Sequence, residues 1–419
     1  MAADQDVRRH VRGNRSGLEG PREVSSEPAS STRPLRVHFF TSYVHEQGTY
    51  FRYHNLAIGL ANLGHRVTVY GCDLKRNAVA RREERDGVRY EIVPECRMQS
   101  IFSQMNNPLT AARRFARHYP PCDIGHLFQP FLGAAAAWRR CPARARFYDW
   151  DDQWTGGLIS GPVQSSRDRW MRFATRLLED RLPRWATHVI AVGDYLGEMA
   201  LKRAAAGVTI VPNGYWPAPF ADKTTARSKL GLKSNAFYVG FMGRTSAELP
   251  WCVDAMTAVA DQYPTLRLAV CGPPIEDLGV VPTAIGERID YLGRLSAADT
   301  RDFAAALDLG LLPLADIPFN RSRFPIKFCE HLATGNPLLC SEIGAIGRLV
   351  REFDWAIPAG TTRDEWCRSF ALAVKQMVGG NRRQSDLVRF AERMSWAGLA
   401  RQLETAYRTS LGASAKATG

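Results

Sequence analysis

Short apolar runs alternate with longer amphipathic segments along the chain from Arg36 onward. Runs of this kind are typical of buried parallel strands, and the amphipathic segments between them, such as 53–63 and 167–185, are typical of helices. The strands predicted in the first half are 37–43, 67–71, 90–93, 124–128, 145–150, 189–192 and 208–211. The pattern therefore predicts a β-α-β series.

A second series of the same kind begins after a linker rich in Pro, Ala and Lys between Trp216 and Lys233. Its predicted strands are 238–242, 266–272, 289–292, 309–312, 338–340 and 356–357, and a final helix is predicted over 391–407. Two consecutive doubly wound units bind ligands at the carboxyl ends of their strands, so the working site is expected in a cleft between them.

The length of 419 residues exceeds what one hydrophobic core usually serves, which agrees with two domains. Residues 1–34 lack both apolar periodicity and the apolar centre of a signal peptide, and we interpret them as a disordered tail. The first domain is predicted to span 35–215 and the second 216–390. The whole chain is expected to be of the α/β class, with two Rossmann-like doubly wound domains.

Hydrophobic residues make up 45% and charged residues 23% of the chain, which is typical of a globular protein. The longest apolar runs, such as 133–138, fall short of the ~20 residues that span a bilayer, so an integral membrane protein is not expected. The nine cysteines include no C-x-x-C pair, and neither a disulfide framework nor a zinc site is predicted. Reduced thiols and the missing export signal favour the cytoplasm.

The net charge of +13 is concentrated in the first half, where residues 35–213 carry 25 Lys and Arg against 16 Asp and Glu. Such an excess favours an anionic partner: a phosphate-bearing acceptor, an anionic membrane surface or nucleic acid. A general arginine bias explains it equally well. Nucleic acid is the weakest of these partners, since the chain has no zinc motif, basic zipper or RNP pattern.

Three carboxylates, Asp149, Asp151 and Asp152, follow a predicted strand within four residues. Hard oxygen ligands at this position are suited to a divalent metal, to sugar hydroxyls or to general-base catalysis at an acceptor. Capping of a following helix by one of the aspartates is the purely structural alternative.

Glycines at strand exits allow a ligand to approach the backbone, and Gly48, Gly243 and Gly272 hold such positions. Arg244 follows Gly243 and could hold a diphosphate with its guanidinium group. Ordinary turns and a solvated loop arginine would explain the same residues.

The segment from Asn320 to Pro337 is the most informative one in the chain. Pro325 suits the start of a helix whose exposed N–H groups suit phosphate. Glu330, about one turn later, could accept hydrogen bonds from ribose hydroxyls. The helix is expected to run to Thr334 and to be capped by Gly335.

With these motifs in order, the sequence resembles the retaining glycosyltransferases of family 4, which have the GT-B fold. The resemblance covers nearly the whole chain after the tail. It rests on Gly48 to Arg52, Gly64 to Val67, Val189 to Val192, Val211 to Gly214, Gly243-Arg244, Pro325 to Pro337 and Ser395-Trp396.

The resemblance implies two facing Rossmann-like domains, with a C-terminal helix (391–410) returning to the first domain. It also implies transfer of a sugar from a nucleoside diphosphate sugar to an acceptor hydroxyl, with retention of configuration, no cofactor and no metal. The acceptor would be a saccharide, a lipid-linked group or a small molecule bound by the first domain, in polysaccharide, glycolipid or secondary-metabolite assembly.

The donor residues implied by the resemblance are Gly48, Gly243, Arg244, Pro325, Lys327 and Glu330. Arg244 and Lys327 would neutralise the leaving diphosphate, and Asp149 or Asp151 would face the acceptor. Asp149, Asp151, Arg244 and Lys327 are accordingly the candidate catalytic residues.

Two positions depart from the family pattern. Ser322 stands where many members have a glutamate that contacts the donor sugar, and Leu249 stands where many have a lysine. Arg323 and Lys327 could supply the missing positive charge. Altered donor choice is one explanation, and a catalytically silent scaffold or activator that keeps the nucleotide pocket is the alternative function.

Several arginines of the first half favour an anionic surface. Because the protein is expected in the cytoplasm, the inner face of a membrane is a further candidate partner. These arginines are Arg113, Arg114, Arg117, Arg167, Arg169, Arg172 and Arg176. Trp170, Phe173 and Leu177 keep helical spacing among them, and burial in the core is their simpler explanation.

Overall fold

The computed structural model describes residues 33–44, 46, 48–73, 79–94, 117–157, 165–243, 247–380 and 385–417. The predicted tail (residues 1–32 of it), Arg113, Arg114, Arg244 and the side chain of Arg167 lie outside these ranges. The described residues from Leu35 onward belong to one compact unit.

An eight-stranded sheet forms the first half of this unit, in the order β3-β4-β2-β1-β5-β6-β7-β8. Strand β3 runs antiparallel to β4, and the other neighbours are parallel. The strands are β1 (Arg36–Phe40), β2 (Arg66–Asp73), β3 (Arg81–Arg85), β4 (Val88–Pro94), β5 (Cys122–Phe128), β6 (Ala143–Trp150), β7 (His188–Ala191) and β8 (Val208–Ile210). The helices between them are α1 (Tyr50–Asn62), α2 (Leu132–Arg140), α3 (Ser166–Trp185) and α4 (Asp194–Lys202).

A six-stranded parallel sheet forms the second half, in the order β11-β10-β9-β12-β13-β14. Its strands are β9 (Phe237–Met242), β10 (Leu266–Cys271), β11 (Ile289–Tyr291), β12 (Leu309–Leu312), β13 (Leu338–Ser341) and β14 (Ala356–Ala359). Its helices are α5 (Lys223–Lys229), α6 (Leu249–Val259), α7 (Thr283–Gly286), α8 (Ala297–Ala306), α9 (Pro318–Ser322), α10 (Ile326–Leu332), α11 (Gly344–Glu352) and α12 (Arg363–Val378), with a 3₁₀ turn at Ile275–Leu278. The predicted α/β class with two doubly wound units is confirmed.

Strand β3 was not predicted, because its sequence, Arg-Arg-Glu-Glu-Arg, has no apolar position. It lies at the edge of the first sheet and its side chains alternate between half-buried and exposed. Charged residues on an edge strand discourage pairing with another chain, so the polarity that hid the strand suits its place.

The predicted C-terminal helix is two helices, α13 (Leu387–Met394) and α14 (Trp396–Ala417). Ser395 between them has an extended backbone and forms a β-bridge with Tyr215. Trp396 and Tyr407 of α14 are buried in the same core as residues of β1 and α1, so this helix does return to the first half of the chain.

A second apolar cluster is continuous between the two halves. It includes Trp150 and Leu196 from the first half and Phe328 and Ile346 from the second. The boundary drawn at residue 215 stays a prediction, although the two sheets lie on either side of it. Among the described residues, no helix combines the length and apolarity needed to cross a bilayer.

Candidate functional site

A buried ion pair links α1 to the carboxyl end of β6. Arg52 is 1% exposed, its Nε donates to Asp149 Oδ1 at 2.6 Å, and its Nη2 donates to Oδ2 at 3.1 Å. The guanidinium also donates to the carbonyls of Val211 and Pro212 and to Asn213 Oδ1, at 2.9, 3.2 and 3.1 Å. All five N–H groups of the guanidinium are therefore used, and three of them hold the segment that leaves β8.

Asp149 is bound through both oxygens inside the first half of the chain. Burial raises the pKa of Asp149 to about 6, and the charge and hydrogen bonds of Arg52 oppose this shift. The Nε2 atom of His126 lies 3.6 Å from Oδ2, and burial holds the pKa of His126 well below its usual value. The predicted catalytic role of Asp149 stays a prediction, since the contacts shown are those of a structural pair.

Asp151 lies two residues further along the chain and is 7% exposed. Its Oδ2 accepts a hydrogen bond from Thr49 Oγ1 at 2.6 Å, while its Oδ1 has no hydrogen-bond partner among the described residues. Burial raises the pKa of Asp151. A buried oxygen without a partner is a costly feature, and such atoms are frequent where a ligand supplies the missing donor. The predicted role of Asp151 at the acceptor side stays a prediction.

Helix capping does not explain these aspartates. No helix begins between residues 151 and 157, so that alternative is wrong for the described part of the loop. Instead, Glu179 of α3 accepts hydrogen bonds from the backbone N–H groups of Trp154 and Thr155, at 2.7 and 2.8 Å. The carboxylate of Glu179 thus holds the loop that carries Asp151 and Asp152.

Gln129, directly after β5, is a further candidate site residue that gave no signal in the sequence. It is fully buried with φ of 74°, a conformation that is uncommon for residues other than glycine. Its Nε2 donates to the hydroxyl of Tyr43 at 2.9 Å, and its Oε1 is buried without a partner among the described residues. The hydroxyl of Tyr43 also lies 3.3 Å from where a Cβ on Gly48 would be, so Gly48, with φ of 55°, leaves room at the same place.

The segment after β8 joins the two halves through Asn213. Its side-chain oxygen accepts from Arg52, and its Nδ2 donates to the carbonyl of Phe324 at 2.8 Å. The thiol of Cys329 donates to the carbonyl of Asn213 at 3.5 Å. The Val-Pro-Asn-Gly motif therefore connects the buried ion pair to the start of α10.

Two residues meet across the cleft near this connection. The backbone N–H of Gln153 donates to Ser322 Oγ at 3.2 Å, and Ser322 is 1% exposed. Where the family pattern has a glutamate, this chain therefore has a buried hydroxyl that links the two halves. Asp152 lies in the first half of the chain and Arg323 in the second. Burial raises the pKa of Asp152 well above its usual value, and the positive charge of Arg323 opposes this shift. Arg323 Nε is buried with no acceptor among the described residues.

A pocket of 360 Å³ opens at the carboxyl ends of β9 and β10. Its floor is glycine: Gly272 has φ of 101°, and a Cβ there would lie 1.8 Å from the carbonyl oxygen of Gly243. Lys327 and Arg294 also line the pocket. Arg294 is exposed and has no ion pair within the described chain. It lies in the loop after β11, where no sequence motif marks it as a candidate. Arg244, predicted beside this floor, lies outside the described residues.

Lys327 and Glu330 form an ion pair on the first turn of α10, with Nζ 2.6 Å from Oε2. Both side chains are about one third exposed, at 33% and 35%. Pro325 precedes the helix as its N-cap residue, as the sequence predicts, and the helix ends at Leu332, two residues before the predicted end. The exposed pair therefore borders the pocket at a helix N-terminus.

The position of Leu249 is closed to a ligand. Leu249 is fully buried in the core of the second half. The preceding residue, Glu248, is 5% exposed, and its Oε1 accepts from the N–H of Ala315 and from Asn320 Nδ2, both at 2.9 Å. The lysine position of the family pattern is thus held by a core leucine, and the carboxylate beside it is used in hydrogen bonds within the second half.

The described site residues fall into two groups. Gly48, Asp149 and Asp151 lie together at the carboxyl edge of the first sheet, and Gly243 and Lys327 line the pocket at the second. Pro325 and Glu330 border that pocket through α10. Their functional roles stay predictions.

Two family models match consecutive parts of the chain. Residues 47–214 match the glycosyl transferase 4-like domain, and residues 235–407 match glycosyl transferases group 1.

Curated relatives are distant in sequence. The chain is 22% identical over 297 residues to the putative teichuronic acid biosynthesis glycosyltransferase TuaH of Bacillus subtilis, a match that covers 64% of this chain and 72% of that protein. It is 24% identical over 219 residues to D-inositol 3-phosphate glycosyltransferase of Stackebrandtia nassauensis, with 48% of each chain covered.

Solved structures share the fold over nearly the whole chain. Sucrose-phosphate synthase from Thermosynechococcus elongatus superposes with a TM-score of 0.65 at 16% identity, covering 91% of this chain and all (100%) of that one. Anabaena HepE, solved with UDP and glucose and separately with UDP-glucose, gives a TM-score of 0.62 in both structures, at 16% and 15% identity, with 90% of this chain and 100% of HepE covered.

Proposed function

Since this chain is a family 4 glycosyltransferase of the GT-B fold, we propose that it moves a sugar from a nucleoside diphosphate sugar to an acceptor hydroxyl with retention of configuration. The proposal rests on the pocket at the carboxyl ends of β9 and β10, where a glycine floor meets two cationic side chains. The backbone of Gly272 lies too close to the carbonyl of Gly243 for any side chain, so the glycine lets the two strand exits pack together beside Lys327 and Arg294.

Negative charge grows on the diphosphate as it leaves, and preorganised cations that face this charge stabilise the transition state. Lys327, near the start of α10, and Arg294, in the loop after β11, both line the pocket and are suited to this role. They supply positive charge that a divalent metal supplies in other enzymes, so we expect transfer to need no added metal ion and no cofactor.

Glu330 is proposed to bind the donor ribose. Its Oε2 is held by Lys327, and the carboxylate, about one third exposed, has a second oxygen that can accept from a ribose hydroxyl. Uridine diphosphate sugars are the first donors to test, because Anabaena HepE binds UDP-glucose on the same fold.

The acceptor is proposed to bind against the first sheet. Asp151 Oδ1 and Gln129 Oε1 are both buried acceptors without donors among the described residues, and hydroxyl groups of a saccharide acceptor would satisfy them. The charges of Asp151 and Arg323 both act on Asp152 at this place. The acceptor belongs to polysaccharide, glycolipid or secondary-metabolite assembly in this proposal.

Helix α3 is proposed to rest on the anionic inner face of a membrane. Trp170 and Phe173 are 42% and 63% exposed, so the expectation that they are core residues is wrong. Exposed Arg169 and Arg176 lie on the same helical face, since residues three and four apart are neighbours on a helix. Aromatic and arginine side chains on one face are typical of helices that lie in the membrane interface.

A catalytically silent partner is the second candidate. Ser322 and Leu249 are buried at two positions where many family 4 members carry a charged side chain, and Ser322 is used in an interdomain hydrogen bond. Such a protein would bind the nucleotide and release no product.

Calorimetry against UDP-, GDP-, ADP- and TDP-sugars tests the donor proposal. We expect one nucleotide class to bind. Lys327→Ala should weaken this binding at least tenfold, about 1.4 kcal/mol, because the bound diphosphate would no longer contact the ammonium group of Lys327. Lys375→Ala, an exposed lysine on α12, is the matched control and should bind normally. The 2′,3′-dideoxy nucleotide should bind more weakly than the ordinary nucleotide. This difference in affinity should be smaller in Glu330→Gln than in the wild type.

Product analysis separates the two candidates. Nuclear magnetic resonance of the product should show the donor's anomeric configuration, with turnover unchanged by a chelator. Binding without transfer to any acceptor of the three classes would favour the silent partner, and no binding of any donor would refute the pocket assignment.

A further inference from the structure

Three soft or borderline metal ligands converge at the amino-terminal edge of the first sheet. Cys122 begins β5, Cys141 directly follows α2, and His38 is the third residue of β1. Cys141 Sγ lies 3.5 Å from Cys122 Sγ and 3.5 Å from His38 Nδ1, and the three atoms all lie within 4.8 Å of one another. This edge is opposite the proposed transfer site.

The distances match tetrahedral zinc coordination. Zinc binds thiolate sulfur at about 2.3 Å and imidazole nitrogen at about 2.0 to 2.1 Å. At tetrahedral angles, these bond lengths place two sulfurs about 3.8 Å apart and a sulfur and a nitrogen about 3.6 Å apart. The three side chains could therefore take up an ion with shifts of only a few tenths of an ångström for the two measured separations.

Contact between two sulfurs distinguishes this group from the other described cysteines, most of which are equally buried. Cys122, Cys141 and His38 are 5%, 0% and 3% exposed. Elsewhere, the buried thiols of Cys329 and Cys340 contact backbone carbonyls. Among the described residues, only Cys122 and Cys141 bring two sulfurs into contact, with an imidazole beside them.

We propose that His38, Cys122 and Cys141 bind one zinc ion as a structural site. Binding displaces one proton from each thiol to solvent, so two thiolates balance the charge of Zn²⁺ and the buried centre is neutral. His38 also lines a surface pocket of 650 Å³, from which a water molecule would supply the fourth ligand of a tetrahedral ion.

The role of the ion would be to hold the base of the first sheet together. It would tie the start of β5 to the end of α2 and to β1. Strands β1 and β5 are neighbours in the sheet. Cys122 is the first of the seven residues of β5, so its backbone lies about 20 Å from the carboxyl end of the strand. Stability, rather than sugar transfer, should depend on it.

Metal analysis of the full-length protein, expressed with zinc and dialysed, tests the proposal. We expect about one zinc ion per chain, and the cobalt-substituted protein should show sulfur-to-cobalt charge-transfer absorption with the spectrum of a tetrahedral ion. Cys122→Ser and Cys141→Ser should lose both signals. Cys252→Ser, a fully buried thiol in the second half, is the matched control and should keep them.

His38→Gln keeps both thiols and should weaken zinc binding at least tenfold, which keeps the test available if the serine variants do not fold. Chelation should lower the thermal unfolding midpoint of the wild type and leave donor affinity at low temperature unchanged. A Cys122–Cys141 disulfide in the purified protein with no bound metal, or equal metal content in wild type and variants, would overturn the proposal. Neither result would bear on the donor pocket.

Discussion

At the scale of single residues, Arg52 shows how a buried charge is satisfied in this fold. Its five donors reach both oxygens of Asp149 and three acceptors in the segment after β8. Because this segment contacts Phe324 through Asn213, the ion pair supports the connection between the halves as well as the first core.

Substitutions at Arg52 should separate charge from hydrogen bonding. Arg52→Lys keeps a positive charge beside Asp149 but leaves buried acceptors without donors, at a cost of about 1–3 kcal/mol. Arg52→Met also strands the buried carboxylate, at a cost of about 3–5 kcal/mol. Chemical denaturation should rank wild type above Lys and Lys above Met. Equal losses in the two variants would contradict a role for the ion pair.

His331 should make the protein less stable in acid. Burial lowers the pKa of His331 to about 3, so below its unfolded pKa of about 6.5 the unfolded chain binds a proton that the folded chain does not. Stability from this group is therefore complete above pH 6.5 and lost as pH falls, by about 2 kcal/mol at pH 5.

The measurement is the slope of unfolding free energy against pH. His331→Gln should flatten the slope between pH 6.5 and 5, whatever its effect on stability at pH 7. His118→Gln, at an exposed histidine, should leave the slope unchanged. An unaltered slope in His331→Gln would mean that His331 is protonated in the folded state.

At the scale of elements, helix α3 has one face in the core and one in solvent. Leu178, Glu179 and Leu182 are buried, and Arg169, Trp170, Phe173 and Arg176 are on the exposed side. Asp180 is paired with Arg203, so this carboxylate does not offset the arginines of the exposed face. The helix periodicity was readable in the sequence, but which aromatic residues faced the core was not.

Vesicle sedimentation tests this exposed face. Phosphatidylglycerol vesicles should bind the protein and phosphatidylcholine vesicles should not, with binding reduced by salt. Trp170→Ser with Phe173→Ser should weaken binding at least tenfold, because two apolar rings no longer enter the interface. Leu372→Ser, at a 62% exposed leucine of α12, is the control. Unchanged binding by the double variant would exclude α3 as the contact.

At the scale of the whole molecule, α14 closes the first core. Its apolar side chains pack against α1 and β6, and Tyr407 OH is hydrogen-bonded to His126 Nδ1 at 2.5 Å. The last helix in sequence therefore completes a core that is built mainly from residues before position 211.

A chain ending at Ser395 should not fold cooperatively. It would lose the buried side chains of Trp396, Leu399, Leu403 and Tyr407, each about 1.5–3 kcal/mol of burial, against a total stability of about 5–15 kcal/mol. A chain ending at Leu411 keeps these residues and should unfold with nearly the wild-type midpoint. Circular dichroism melting of the two shortened chains checks this, and a cooperative wild-type-like melt of the shorter one would contradict it.

The sequence by itself determined the α/β class, the succession of parallel strands and the start of a helix after Pro325. Local patterns suffice there, because apolar runs mark buried strands and Pro and Gly mark helix ends. The charged edge strand β3 and the break at Ser395 were missed, since the first has no apolar pattern and the second depends on the bridge to Tyr215.

Only the tertiary structure decided which polar residues meet. The pairing of Arg52 with Asp149, 97 positions apart, the hydrogen bond of Gln129 to Tyr43 and the convergence of His38 with Cys122 and Cys141 are long-range contacts. No spacing along the chain encodes them, because the sheet order, rather than the sequence order, places strand ends side by side.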